Sequence, residues 1–215
     1  MRQGNWPIWN VANGYVRGNS TTYEIGRGYL KQIFLWIVFA GLLCGCMSSV
    51  DNVDLALGLR QQILKANACG FDAIITADYT DKIYTFSLRC NVDSAGIMKF
   101  EVIEPKSISG ITGTISSTQQ SLTFDNTVLA FAPMADGYIT PVCAPWVFIN
   151  SLRCGYINSC TETKDGLIIS IDDSYHDDPL RVDIHLNSDE IPVFAEILWQ
   201  GRRFLTLEIK DFKIL

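Results

Sequence analysis

The carboxy-terminal third of this chain constrains its fold more than any other feature, because apolar residues recur there at every second position. Leu167, Ile169 and Ile171 form one run; Leu180, Val182, Ile184 and Leu186 form the next. Val193, Ala195, Ile197 and Trp199 follow, and Leu205, Leu207 and Ile209 complete the series. Side chains of a strand alternate between its two faces, so each run predicts a strand with one buried face and one wet face. Asp165-Gly166, Asn187-Ser188-Asp189 and Gln200-Gly201 separate the runs at hairpin distances, which makes neighbours in sequence antiparallel neighbours in space. Four strands are therefore expected to close the chain. The same period appears earlier, in Tyr84, Phe86, Leu88 and Cys90 and in Met98, Phe100 and Val102, with Asp93-Ser94-Ala95-Gly96 as the turn between them. After Glu104-Pro105, which interrupts a hydrogen-bonded ladder, shorter strands are expected at 110–116 and 121–124. A large curved antiparallel sheet accommodates all of these.

Two stretches have a different period. Asp51 is suited to cap a helix on which Val53, Leu55, Leu59, Ile63 and Leu64 recur through Ala66, with Cys69-Gly70 ending the run and strand periodicity starting at Phe71. Between Val128 and Leu152 the only charge is Asp136, and prolines stand at 133, 141 and 145, so this insertion must face something apolar. Pro145 fits the first turn of a short helix ending near Cys154-Gly155, on which Trp146, Ile149 and Leu152 share one side. That side is expected to pack on the sheet, either as a plain core helix or as the lid of a ligand cavity.

Residues 33–44, IFLWIVFAGLLC, are uncharged, are preceded by Lys31 and are followed by Gly45-Cys46. A membrane-spanning helix needs about 20 apolar residues, whereas an export signal needs fewer. The stretch Leu43-Cys44-Gly45-Cys46 resembles the lipobox of bacterial lipoproteins. The resemblance implies that the Cys46 thiolate takes a diacylglycerol group and that cleavage falls between Gly45 and Cys46. Residues 1–45 are then an N-terminal extension with the signal peptide, 46–50 a lipidated tether, and 51–215 a folded domain on the outer side of the cell membrane. The competing reading is an uncleaved transmembrane helix. About 30 residues precede the apolar run, long for such a signal, and Leu30 or Val16 is a candidate for the true start.

Removing residues 1–45 takes away Arg2, Arg17, Arg27, Lys31 and Glu24, which leaves 13 Lys and Arg against 22 Asp and Glu, a net charge of −9. Phosphate backbones are held by clustered cations, so nucleic acid is not an expected partner. With 48% hydrophobic and 19% charged residues, the chain has enough apolar side chains to fill a core.

A helix, a meander carrying Gly96, Phe100, Val102 and Pro105, the apolar insertion and four closing strands resemble the lipoprotein-carrier superfamily, LolA/LolB-like, over residues 51–215. Pro192 to Ile197, Gly201 and Phe204 to Phe212 add to the resemblance. It implies an α+β fold, an unclosed half-barrel wrapped around a few helices, with an apolar cavity for the acyl chains of membrane lipids or lipoproteins. Phe131, Trp146, Phe148, Ile149 and Leu152 are the candidate lining. A monomer without enzymatic activity is expected, with no cofactor other than the covalent diacylglycerol on Cys46. The alternative function is a cell-surface interaction or scaffold lipoprotein without a ligand cavity.

Five cysteines follow Cys46, and an exported protein allows disulfides. Cys69 with Cys90 and Cys154 with Cys160 are the expected pairs, leaving Cys143 free. No Cys-x-x-Cys spacing accompanies the two histidines, which argues against zinc. The run Asp172 to Asp178, containing Ser174 and His176, is rich enough in oxygen for calcium or nucleophilic chemistry, yet its place between two strands fits a solvated turn. His185 alternates onto the polar face. No phosphate loop, dinucleotide fingerprint or Gly-x-Ser-x-Gly elbow is present.

Overall fold

The alternating runs of the sequence become strands of a single sheet in the computed structural model, which describes residues 48–124, 127–131, 134–135, 138–174 and 179–215. The order is α1 (Ser48–Lys65), β1 (Ala68–Asp78), β2 (Ile83–Asp93), β3 (Met98–Glu104), β4 (Thr112–Ile115), β5 (Gln120–Phe124) and β6 (Thr127–Ala130). A two-residue pair, β7 (Met134–Ala135) and β8 (Tyr138–Ile139), leads through a 3-10 turn (Pro141–Cys143) into α2 (Ala144–Cys154). The chain closes with β9 (Tyr156–Thr163), β10 (Gly166–Asp172), β11 (Leu180–Leu186), β12 (Pro192–Trp199) and β13 (Arg202–Ile214).

Eleven strands make the main sheet, in the order β6-β5-β4-β3-β2-β1-β13-β12-β11-β10-β9, with every neighbouring pair antiparallel. Two meanders are joined where the first strand pairs with the last. The sheet does not close on itself, so the expected α+β half-barrel is the observed one, with β6 and β9 as its two edges. Ser48–Leu215 forms one compact unit.

Turn chemistry fixes the registers. Gln200 and Gly201 both have positive φ (50° and 75°), the two-residue turn whose twist matches that of its flanking strands. Asp93 Oδ1 accepts hydrogen bonds from the backbone N–H of Ala95 and Ile97, both at 3.0 Å, and Gly96 takes the left-handed conformation (φ 81°) that the β2–β3 turn needs.

One face of the sheet, here the inner face, is dry. β1 buries Cys69, Phe71, Ala73, Ile75 and Ala77 there, and β13 buries Leu205, Leu207 and Ile209. Helix α2 packs on this face against β10, β11 and β13, and α1 packs against β9 and α2. Phe148 of α2 stacks edge-on to Phe71 with ring centroids 5.6 Å apart. Each such fully buried apolar side chain contributes about 1.5–3 kcal/mol.

Several elements differ from expectation. The first strand begins at Ala68, so Cys69 and Gly70 lie inside β1 instead of ending the helix; two residues suffice to turn the chain because Asn67 and Ala68 donate their N–H groups to the Leu215 carbonyl. On α1 the buried positions are Ala56, Leu59 and Ile63, while Val53 and Leu64 are exposed at 37% and 48%. In β12 a register shift pairs Leu186 with Pro192, so Pro192 is buried and Val193 faces outward. Five strands follow α2, not four. β9 escapes the alternation test because it is an edge strand whose residues are largely exposed. The expected start of the apolar insertion at Val128 falls inside β6, a strand hydrogen-bonded to β5.

Candidate functional site

Residues directly opposite in an antiparallel pair share a face, so the registers define rows across the sheet. One inner row runs Phe71 (β1), Cys90 (β2), Phe100 (β3), Gly113 (β4), Leu122 (β5) and Leu129 (β6). Phe71, Cys90 and Phe100 are buried at 2–3% exposure, Leu122 is half-buried, and Leu129 is 57% exposed. The row stays apolar throughout while its cover thins toward β6. A parallel row runs Cys69, Val92, Met98, Ile115 and Gln120, whose carbonyl accepts the Phe131 N–H at 3.3 Å. This places Phe131, itself half-buried, on the same inner face at the same edge. Helices α1 and α2 lie over the β9 half of the sheet, and on the β4–β6 wing the inner face goes from buried Ile115 through half-buried Leu122 to exposed Leu129.

Gly113 admits the Phe100 ring onto the inner face of β4. A β-carbon at that position would collide with the Phe100 ring, so only glycine lets the ring lie across β4. Trp146, at the start of α2, is half-buried and donates its indole N–H to the Gly96 carbonyl at 3.1 Å. Arg153 Nη2 donates to the Ser94 carbonyl at 2.8 Å. Together they pin α2 to the β2–β3 turn.

The five lining candidates therefore separate. Phe131 and Trp146 are half-buried, Phe131 on the inner face at the β6 edge and Trp146 beside the β2–β3 turn. Phe148, Ile149 and Leu152 are at most 2% exposed and belong to the core between α2 and the sheet. Leu122 and Leu129, which are not among the expected lining, face each other across the β5–β6 pair.

At the other end of α2, Arg60 of α1 donates Nε to the Leu152 carbonyl and Nη2 to the Gly155 carbonyl, both at 2.7 Å. Both acceptors lie at the helix C-terminus, where carbonyls lack partners and positive charge is favoured. A depression of about 440 Å³ opens beside it, lined by Arg60, Tyr156, Ile157, Asn158 and Asp172 among others. A second, of about 550 Å³, lies between Asn52 and Leu55 of α1 and the turns at 163–166 and 187–190. None of the five candidate lining residues borders either.

All five described cysteines are free thiols, which corrects the expected Cys69–Cys90 and Cys154–Cys160 disulfides. Register explains the first case: Cys69 stands opposite Val92 and Cys90 opposite Phe71, so the two are diagonal neighbours, about 7–8 Å apart and beyond the reach of a disulfide. Cys154 is exposed and its thiol donates to the Asn150 carbonyl at 3.1 Å, while Cys160 lies on β9 opposite Ile169. Burial pushes the Cys143 thiol up to about 12 and raises Cys90 as well.

The acidic run is partly described. Asp172 accepts from Arg181 Nε at 3.0 Å and from Asn158 Nδ2 at 2.7 Å, and Asp173 accepts from the Leu180 N–H at 2.8 Å. These carboxylates tie β9, β10 and β11 together. His176 lies outside the described residues, as do Cys46 and the apolar run 33–44. His185 is on the outer face, edge-on to Phe194 with centroids 5.4 Å apart. Among the described residues no helix is long and apolar enough to cross a membrane.

No family model matches the sequence, and no curated protein matches it. Solved structures similar to this chain include an uncharacterized conserved protein from Thermus thermophilus, at 14% identity and TM-score 0.42, covering 74% of this chain and 87% of that one. A LolA superfamily protein from Nitrosomonas europaea is similar at 10% identity and TM-score 0.39, covering 74% and 93%. The Mycobacterium tuberculosis lipoprotein LppX is similar at 13% identity and TM-score 0.34, covering 73% and 94%.

Proposed function

We propose that this protein is a membrane-anchored lipoprotein, attached through Cys46 and facing away from the cytoplasm, that binds an acyl chain of a lipid or lipoprotein in the groove of its β4–β6 wing. The observation that carries this reading is the row from Phe100 across Gly113 and Leu122 to Leu129, apolar along its whole length and uncovered at its end. An acyl chain laid across it would bury methylenes at about 0.8 kcal/mol each, so ten of them supply roughly 8 kcal/mol before the cost of immobilising the chain. That is enough for binding without any reacting group. The apolar insertion adds Phe131 at the same sheet edge, and the short tether keeps the domain near the bilayer from which a chain would come.

Organic extraction of natively purified protein, followed by mass spectrometry, should release a lipid in stoichiometric amount. Leu129→Asp should abolish that loading while leaving the melting temperature unchanged, because the side chain is exposed and only the groove loses its apolar end. Unloaded wild-type protein that also fails to bind a fluorescent fatty acid would refute the reading.

A further inference from the structure

The inner row that carries the acyl-binding reading ends on β6, an edge strand with a single partner among the described residues. The Phe131 N–H bonds to Gln120, and in an antiparallel ladder the bonded residues alternate, so residues 127, 129 and 131 point their backbone groups toward β5. Val128 and Ala130 therefore direct their N–H and C=O groups outward, where no described strand pairs with them. All four β6 residues are exposed, Val128 at 65%, and none is charged.

The opposite edge is treated differently. β9 carries Glu162 and a polar series of Asn158, Ser159, Thr161 and Thr163, and α1 packs against it. Charge and cover are the usual means by which a sheet avoids pairing with another chain, and among the described residues β6 has neither.

Resting on the acyl-binding reading, we propose that β6 is the docking edge for the polypeptide part of an acylated ligand, which adds an antiparallel strand while its acyl chain lies in the groove. The two features are continuous: the residue of an added strand opposite Leu129 projects to the inner face, onto the groove, and its neighbours pair with the outward backbone groups of Val128 and Ala130. Pairing with a second copy is the weaker fit, since the folded part of the chain carries a net charge of −9 and two such domains would repel.

The test compares palmitic acid with a palmitoylated, proline-free decapeptide, using full-length protein carrying Cys46→Ser so that no acyl group of its own competes. The decapeptide should bind about tenfold more tightly, the net of up to four backbone hydrogen bonds after the cost of ordering the peptide. Proline is tolerated where a strand's N–H faces outward, so the double variant Val128→Pro/Ala130→Pro should fold, melt normally, keep its affinity for palmitic acid and lose the tenfold gain. Equal binding of the two probes overturns the edge proposal alone, as does a gain that survives both prolines. A ligand-independent dimer that the prolines dissociate also overturns it, assigning the edge to a second copy. Failure of palmitic acid itself to bind removes the acyl-binding reading first.

Discussion

Arg60 reaches 92 residues along the chain to donate its Nε–H to the Leu152 carbonyl at 2.7 Å, so a side chain of the first helix caps the end of the second. Burial lowers the pKa of this guanidinium from its ordinary value, and the helix-terminal carbonyls are its partners. Replacing it by leucine leaves the Leu152 and Gly155 carbonyls without those bonds. Arg60→Leu should cost about 2 kcal/mol, as for hydrogen bonds made by a charged group. In a domain of this size that lowers Tm by roughly 4–8 °C, which a thermal melt measures directly. An unchanged Tm would mean that the contact is solvent-screened and contributes nothing.

Gly113→Ala tests the groove floor. The added methyl meets the Phe100 ring and, less yieldingly, the Ser121 carbonyl oxygen at 2.7 Å. The expected cost is about 1–3 kcal/mol, typical of overpacking. The displaced ring should also fill the groove, so retained lipid should fall along with Tm. Lower stability with full lipid loading would place the ligand elsewhere.

Thiol reactivity should divide the cysteines by burial. At pH 7.5 N-ethylmaleimide should label exposed Cys154 within minutes and leave Cys90 and Cys143 untouched, because burial holds both thiols protonated. In a separate sample denatured before labelling, mass spectrometry should find five reactive thiols beyond Cys46. The linkage has a definite sign: with Cys143 titrating at about 12 when folded, its contribution is fully present below the ordinary thiol range and is lost as pH rises from about 9 toward 12. Stability should therefore decline across that interval and be insensitive to these two groups below it.

Cys46→Ser should leave an unprocessed precursor and abolish metabolic labelling with palmitate. Labelling that persists would move the attachment point to another cysteine.

Much of the fold was legible because burial on one face writes a period of two into the sequence. Leu167, Ile169 and Ile171, like Met98, Phe100 and Val102, are buried as their alternation requires. Legibility failed where that physical cause is missing. β9 has little buried face, so Ile157 and Cys160 are its only half-shielded apolar positions and their spacing is not two. Val193 was assigned to the wrong face because the bulge opposite Leu186 shifts the parity of β12, and no sequence signal marks it. For the site, the uncharged stretch holds side chains of two kinds, Phe131 and Trp146 half-buried and the α2 residues in the core. Phe148, Ile149 and Leu152 look the same in sequence whether they line a cavity or fill a core. Only the position of α2 over the β9 half of the sheet separates these cases.

The thinning cover along the row from Phe71 to Leu129 divides labour among strands. Folding free energy is concentrated at Phe71, Cys90 and Phe100, where a substitution opens a void, whereas Leu122 and Leu129 can change with little loss of stability. Descendants of such a chain can retune what they hold at β5 and β6 without putting the scaffold at risk, and an engineer can do the same.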